Sequence, residues 1–238
     1  ISCTFRPRSP AEPAYTAVAD TSLLVQPGEF VSVVGPTGCG KSTLLNVAAG
    51  LLTPSLGEVR VFGQVLQGIN ARAGYMFQTE ALMPWRSALD NVLLGLQYHH
   101  TEAQAAQQLA LDWLARVGLS GFEDRYPHQL SGGMRKRVAL ARAIISPPDV
   151  ILYDEPTAGL DPIVSDSINK LIRHLQRELH VTSIVVTHDM VSCYHIADRV
   201  ALLNEGRIYF LGNQQELRDS TDPIIRDFVD GRSGETIY

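Results

Sequence analysis

The chain has little of what several classes of protein require. Its 238 residues include three cysteines, Cys3, Cys39 and Cys193, odd in number and far apart. They offer neither a disulfide framework nor a CxxC metal or redox spacing, and they point to a reducing compartment. Long apolar runs are missing too. Val31 to Val34, broken by Ser32, and Ile184 to Val186 are a few residues each, far short of the roughly 18 residues needed to cross a bilayer. There is no excess of positive charge: 20 Lys and Arg face 25 Asp and Glu, for a formal charge of −5. No net basic field exists to hold a nucleic-acid backbone, so nucleic acid is not an expected partner. Repeats of fixed period are absent, and Glu102 to Ala110 is the one Ala/Gln-biased stretch. The chain begins at Ile1 without a Met or a charged-then-apolar leader, so no signal peptide is expected. What remains, 45% hydrophobic and 19% charged, describes a packed globular protein.

Within that chain, short β-branched runs alternate with helical patterns. Phe30 to Val34, Val59 to Phe62, Gly74 to Phe77, Val150 to Tyr153, Ser183 to Thr187 and Val200 to Leu203 read as strands. Such alternation implies a mostly parallel sheet covered by helices. Between Thr79 and Pro148 helical patterns occur without a convincing strand, so a helical subdomain over 79–148 is expected as an insertion in an α/β core. Its clearest helix starts at a Thr101/Gln104 capping box and runs through Ala106, Leu109, Ala110, Trp113, Leu114 and Val117 to Gly118, which predicts a buried Trp113 face.

Three segments carry chemistry. Gly35-Pro36-Thr37-Gly38-Cys39-Gly40-Lys41-Ser42 satisfies GxxxxGK[ST] between an expected strand and the helical stretch Ser42 to Leu51. Strand, glycine loop and helix bring backbone N–H groups and a helix dipole to phosphate oxygens; Lys41 adds a point charge and Ser42 a ligand for Mg²⁺. Cys39 within the loop predicts that alkylation of an accessible thiol blocks nucleotide binding; the plainer reading is a small filler residue. Val150 to Pro156 is an apolar strand ending in Asp154 and Glu155. Strand alternation aims the two carboxylates differently, so Asp154 is expected to bind Mg²⁺ through water and Glu155 to take the proton of the attacking water. An acidic pair after a strand also suits an ordinary helix N-terminus. The third segment, Leu130-Ser131-Gly132-Gly133-Met134-Arg135-Lys136-Arg137, opens a helix through Val138, Ala141, Ile144 and Ile145. Ser131 and the glycines offer a hydroxyl and N–H groups to an anion. The plain alternative makes Ser131 an N-cap and Arg135 to Arg137 a solvated basic face.

Taken together and in this order, the three segments resemble the ATPase subunits of ABC transporters, a resemblance that covers nearly the whole chain. It implies a P-loop NTPase fold: an α/β, RecA-like core of mostly parallel sheet, with an antiparallel β subdomain and the inserted helical subdomain. One ATPase domain then spans 1–238, with a C-terminal tail over 215–238. By the same resemblance Gln78 is the glutamine that senses Mg²⁺ and the membrane partner. Gly159-Leu160-Asp161 matches the family's D-loop, with Asp161 among the nucleotide-binding residues, and His188 in Val186-Thr187-His188-Asp189 is the histidine near the γ-phosphate. Gly35, Pro36, Thr37, Gly38, Cys39, Gly40, Lys41, Ser42 and Thr43 bind phosphate. Ser131, Gly132 and Gly133 close over ATP held by a second copy. Ser42, Gln78 and Asp154 form the Mg²⁺ set, and Glu155, His188 and Gln78 the catalytic set. Asp161 before Pro162 also reads as a helix N-cap, and His188 as a structural histidine. His99, His100, His128, His174, His180 and His195 match no motif and receive no role.

The resemblance implies ATP and Mg²⁺ as cofactors, a head-to-tail homodimer, transmembrane permease subunits, and a place on the cytoplasmic face of the inner membrane. It sets Phe5 against adenine, with Tyr15 a competitor and either ring an alternative core residue. Met134 departs from the more usual glutamine and loses a side-chain hydrogen bond. For the cargo there are two likenesses. Gln78 and the run from Ala81 to Val92 look like the ATPases of nitrate, sulfonate and taurine importers, which work with a solute-binding protein. Leu160 to Asn169 and the tail Thr221 to Gly231 look like the Mla-type phospholipid transport ATPase, with a lipid-binding partner, and the expectation leans to lipid. The tail's plainer reading is an amphipathic helix packing Ile224, Ile225 and Phe228 on the core. Two other classes are weighed: an ABC ATPase acting on nucleic acid or ribosomes, and a nucleotide kinase or GTPase. The interval from Lys41 to Asp154 lacks the heptad run of the first, and the second has no need of Leu130 to Met134 or His188.

Overall fold

A computed structural model describes residues 1–6, 13–97 and 101–232. In chain order the strands and helices are β1 (Cys3–Phe5), β2 (Tyr15–Val18), β3 (Phe30–Val34), α1 (Lys41–Ala48), β4 (Arg60–Val61), β5 (Gln64–Val65), β6 (Ala73–Met76), α2 (Ala88–Leu93), α3 (Ala103–Arg116), α4 (Gly132–Ile144) and β7 (Val150–Asp154). The order continues with α5 (Pro162–Leu179), β8 (Thr182–Thr187), α6 (Met190–Ile196), β9 (Arg199–Asn204), β10 (Arg207–Gly212), α7 (Gln214–Asp219) and α8 (Pro223–Val229). Two compact units result, one from Ile1–Ala71 with the chain from Ile184 onward, the other from Arg72–Ser183.

In the first unit β3 is buried at all five positions, as a β-branched strand covered on both faces must be. It pairs in parallel with β9, Val31 opposite Arg199 and Val34 opposite Leu202, and β9 pairs antiparallel with β10. Asp198 fixes the register at the β3–β9 end: its Oδ2 accepts from Phe30 N at 2.9 Å and its own N–H donates to Phe30 O at 2.8 Å. The strands β1 and β2 form an antiparallel pair, as do β4 and β5. A core of Val34, Cys193, Ala197, Val200 and Leu202 continues into the tail through Leu217 and Ile225, with Phe228 and Val229 packed against it. The plainer reading of the tail is the observed one for Ile225 and Phe228, whereas Ile224 stays 42% exposed.

In the second unit β6 and β7 pair in parallel, Ala73 opposite Val150 and Met76 opposite Tyr153. Helix α4 lies so close to β6 that a Cβ on Gly74 would meet Ala143 O at 2.1 Å. Between residues 79 and 148 the described chain holds α2, α3, α4 and two short 3₁₀ turns, and no strand. Ala106, Ala110, Trp113 and Leu114 form the buried face of α3, as its periodicity predicts. Its start differs from expectation: Glu102 is the N-cap and no side chain caps it, so the Thr101/Gln104 box does not form.

A buried asparagine shapes the loop before α2. Asn91 is fully buried; its Oδ1 accepts from Met83 N at 2.7 Å, and its Nδ2 donates to the carbonyls of Met83, Arg86 and Ser87. A side-chain amide used this fully substitutes for backbone pairing that a loop lacks. Asn91→Ala is therefore expected to lower unfolding free energy by about 2 kcal/mol, from the buried groups it leaves unpaired; an unchanged urea midpoint would contradict this account.

Candidate functional site

The glycine loop between β3 and α1 has a geometry that only glycine permits at two points. Gly35 has φ 154 and a Cβ there would meet Leu203 O at 2.1 Å; Gly40 has φ 105 and a Cβ would meet Ala17 O at 2.2 Å. The loop is thus pressed between the end of β9 and β2, with Gly206 N donating to Cys39 O at 3.2 Å. No side chain caps α1, whose N-cap is Gly40 itself. A helix start with no side-chain cap turns its backbone donors toward an anion. Lys41 is only 8% exposed, and its Nζ donates to Gly35 O at 2.7 Å and Pro36 O at 2.9 Å. Pro36, Thr37, Gly38 and Ser42 face solvent. A helix start with no side-chain cap, a held ammonium and an accessible loop fit a polyphosphate.

Phe5 and Tyr15 are cross-strand partners in the β1–β2 pair. At 43% and 58% exposed neither is core, which removes that alternative for both. The Tyr15 hydroxyl donates to Gly38 O at 3.2 Å, so this ring is tied to the phosphate loop itself. Most of the Pro-rich segment Arg6 to Ala14, residues 7–12, lies outside the described residues, as do His99 and His100.

His188 is exposed and follows β8 directly. The next residue, Asp189, caps α6: its Oδ1 accepts from Val191 N at 2.9 Å, and its N–H donates to Thr187 Oγ1 at 3.0 Å.

In the second unit Asp154 ends β7, and Glu155 follows with φ 47, both 7% exposed. The strand has stopped before Glu155, so pleat alternation does not separate the two carboxylates as expected. A left-handed turn does, in a conformation that non-glycine residues adopt at a cost of order 1 kcal/mol and that gathers at functional sites. The Tyr75 hydroxyl lies 3.5 Å from Asp154 Oδ2. Burial, and then that carboxylate, push the Tyr75 pKa well above its ordinary value. Ser42 in the first unit and Gln78 and Asp154 in the second each carry an oxygen donor of the kind Mg²⁺ takes, and among the described residues no cluster of three or more His, Cys, Asp or Glu stands ready as a metal cage. That donor chemistry fits a hard cation completed by phosphate and water.

Ser131 caps α4, its Oγ accepting from Met134 N at 3.3 Å. A hydroxyl can accept and donate together, so the plain and the functional readings are compatible. The two glycines also serve packing: a Cβ would meet Leu160 Cδ2 at 3.1 Å from Gly132 and Val164 Cγ1 at 2.6 Å from Gly133. Asp161 is an N-cap as its plain reading predicts, accepting from Ile163 N and Val164 N. The basic face after Ser131 is not solvated. Arg137 donates to Val117 O and, at 2.8 Å, to Ser167 Oγ, and Lys136 is 2% exposed with Nζ donating to Gln78 O at 2.6 Å. Burial lowers the Lys136 pKa, opposed by the charges of Glu80, Asp154 and Glu155. Gln78 is exposed, its main chain held by α4.

Sequence reasoning missed Tyr75, Asn91 and Lys136. Tyr75 and Asn91 stand in runs quoted for other reasons, and a lysine flanked by arginines gives no local sign of burial.

Comparison with known proteins places this geometry. The family model described as ABC transporter matches residues 18–158. The sulfate/thiosulfate import ATP-binding protein CysA 2 of Chromobacterium violaceum is 41% identical over 91% of this chain and 60% of its own length. The Fe(3+) ions import ATP-binding protein FbpC of Agrobacterium fabrum is 39% identical over 91% of this chain and 62% of its own. This chain thus spans about three-fifths of the curated relatives it matches. The ATP-binding cassette MJ0796, solved as a dimer in a post-hydrolysis state bound to ADP and Pi, superposes with TM-score 0.81 and 32% identity, covering 90% of this chain and 96% of that one. The fold is therefore that of an α/β P-loop nucleotide-binding cassette. The chain belongs to the ABC transporter family.

Cys39 gives this site a measurable property. It is 8% exposed, and burial raises its thiol pKa although Lys41 pulls the other way. The accessible thiol on which the alkylation expectation depends is not present. A raised pKa leaves less thiolate at neutral pH. Alkylation of Cys39, followed by peptide mass mapping, is expected to be slower at pH 7.5 than for a small free thiol and to climb above pH 9. A rate equal to the free thiol's at pH 7.5 would show that the loop opens readily.

Proposed function

We propose that this chain is the ATP-binding and ATP-hydrolysing subunit of an ABC importer for a small solute, working as a head-to-tail homodimer on the cytoplasmic face of the membrane with permease subunits. The single observation that carries the reading is the phosphate loop, with Lys41 drawn onto the Gly35 and Pro36 carbonyls at an α1 start that no side chain caps. Those carbonyls hold the ammonium at the loop's centre, where phosphate oxygens can exchange for them. The backbone of Gly35, Pro36, Thr37, Gly38, Cys39 and Gly40 through Thr43 wraps the phosphates, with N–H donors from every residue but Pro36, and Phe5 or Tyr15 offers a ring to adenine. Ser42, Gln78 and Asp154 would hold Mg²⁺, which would supply charge neutralisation to the phosphates. Glu155 accepts the proton of the water that attacks the γ-phosphorus in line, the bond to the bridging oxygen breaks, and ADP and phosphate leave. His188 donates a hydrogen bond to the γ-phosphate, where charge develops. Ser131, Gly132, Gly133 and Asp161 meet the nucleotide bound by a second copy; the dimeric state of the MJ0796 cassette supports this arrangement.

Import is favoured over lipid transport. The two relatives are named for import of sulfate or thiosulfate and of ferric ions, nearer to the nitrate, sulfonate and taurine likeness of Gln78 to Val92 than to the Mla-type likeness. The tail on which the lipid lean rests packs Ile225 and Phe228 into its own unit, so core packing accounts for those residues.

The chemistry is tested by two variants. Lys41→Ala is expected to weaken ATP binding by about 100-fold, since it removes a charge-assisted contact. Glu155→Gln should keep ATP affinity, lose about a thousandfold in turnover, and accumulate as an ATP-bound dimer. Native turnover in Glu155→Gln would remove it from the role of base. The cargo is tested by mass spectrometry of what co-purifies from detergent-solubilised membranes when the chain is expressed with its native operon: a permease with a solute-binding protein is expected, and a permease with a membrane-anchored lipid-binding partner would restore the lipid reading.

A further inference from the structure

Helix α4 grips the segment that begins at Gln78 through three cations. Lys136 Nζ donates to Gln78 O at 2.6 Å, Arg142 donates to Glu80 O and Ala81 O at 2.7 Å each, and Arg135 Nε lies 3.8 Å from a Glu80 carboxylate oxygen. The acceptors are mostly main-chain carbonyls, so what is fixed is the path of the backbone over 78–81. Ala81 takes a left-handed φ of 46 within that path. Of the three cations only Lys136 is fully buried, and a buried ammonium is retained only where its partners hold it. One turn before Lys136 on the same helix stand Gly132 and Gly133, seated against Leu160 and Val164. One rigid helix therefore holds both the Gln78 backbone and the Ser131 segment.

We propose that Lys136 is a positioning residue that ties the Gln78 backbone to α4, so that the nucleotide-sensing loop and the Ser131-Gly132-Gly133 segment move as one body. This rests on the ATPase reading above for its effect on turnover, though not for its effect on the loop. In a cassette that closes on a second copy, Gln78 belongs to one nucleotide site while Ser131 of the same chain belongs to the other. A rigid tie between them makes the state of one site set the geometry of the next, a coupling carried by a contiguous element and two-way by necessity. Without the tie each segment still exists and phosphate binding at Lys41 is untouched, but turnover loses its alignment.

Lys136→Met keeps the chain length and removes the ammonium; Lys136→Arg keeps charge and donors. Amide hydrogen exchange over 77–86 is measured on the full chain, beside fluorescent-nucleotide affinity and steady-state kcat and KM with MgATP. In Lys136→Met exchange over 77–86 is expected to rise by about tenfold, and kcat to fall by about tenfold with nucleotide affinity within about twofold of native; Lys136→Arg should reverse most of both. Native exchange in Lys136→Met, or equal loss in Lys136→Arg, overturns the proposal. If Lys136→Met does not fold, Arg142→Lys decides, because one ammonium replaces a fork that serves two carbonyls: faster exchange over 79–82 supports the grip and native exchange there refutes it. A native chain that turns over no ATP defeats the ATPase reading alone, and the exchange data still settle what Lys136 does.

Discussion

The phosphate loop takes its shape from two contacts that leave no room for a side chain. Gly35 lies against the carbonyl of Leu203, and Gly40 against that of Ala17. Leu203 is near the end of β9 and Ala17 lies in β2, so the loop is wedged between elements drawn from opposite ends of its unit. A six-residue loop, Gly35 to Gly40, with positive φ at three glycines has large conformational freedom when unfolded. Close packing against two remote carbonyls removes that freedom before any ligand arrives, which is the preorganisation that anion binding needs. Lys41 then finds its acceptors inside the loop, and the ammonium is held where a phosphate would arrive.

The second unit solves a different problem, that of keeping two adjacent carboxylates buried. Asp154 and Glu155 are both nearly enclosed, and Lys136 supplies a nearby positive charge. Burial raises the cost of each charge and also strengthens its attraction to the others. The same ammonium is spent on the Gln78 carbonyl, so electrostatic support for the acids and the path of the Gln78 segment depend on one side chain.

The legible parts of the sequence were those where chemistry constrains the backbone locally. The phosphate loop declares itself through glycines at fixed spacing, α3 through its period, and β3, β7, β8 and β9 through β-branched runs. Strands β1, β2, β5 and β10 were harder because short or edge strands lack a buried run; β10 alternates exposed and half-buried residues and carries a bulge. The Thr101/Gln104 box failed because pattern matching fixes residue types and not the turn at which a helix starts; α3 begins one residue later, after Glu102. Lys136 failed for a deeper reason. Whether a cation between two arginines is solvated depends on what the far side of the helix meets, and that information lies in Gln78, 58 positions away.

The dual behaviour of Ser131 and Asp161 bears on how such sites are recognised at all. Each caps a helix, as its type and place predict without any functional premise. Each is also proposed to meet a nucleotide held by a second copy. These are not rival explanations, because a residue that caps a helix N-terminus is held rigidly beside exposed backbone donors, the arrangement from which a phosphate contact is made. For Ser131, capping supplies the precision, and a hydroxyl that accepts in the cap keeps a proton with which it can donate. Structural and functional readings of one side chain can therefore both hold, and what separates them is not the geometry within one chain but the presence of a ligand that uses the remaining donor. The glycines beside Ser131 show the packing side of this: Gly133 has no Cβ because Val164 occupies that space.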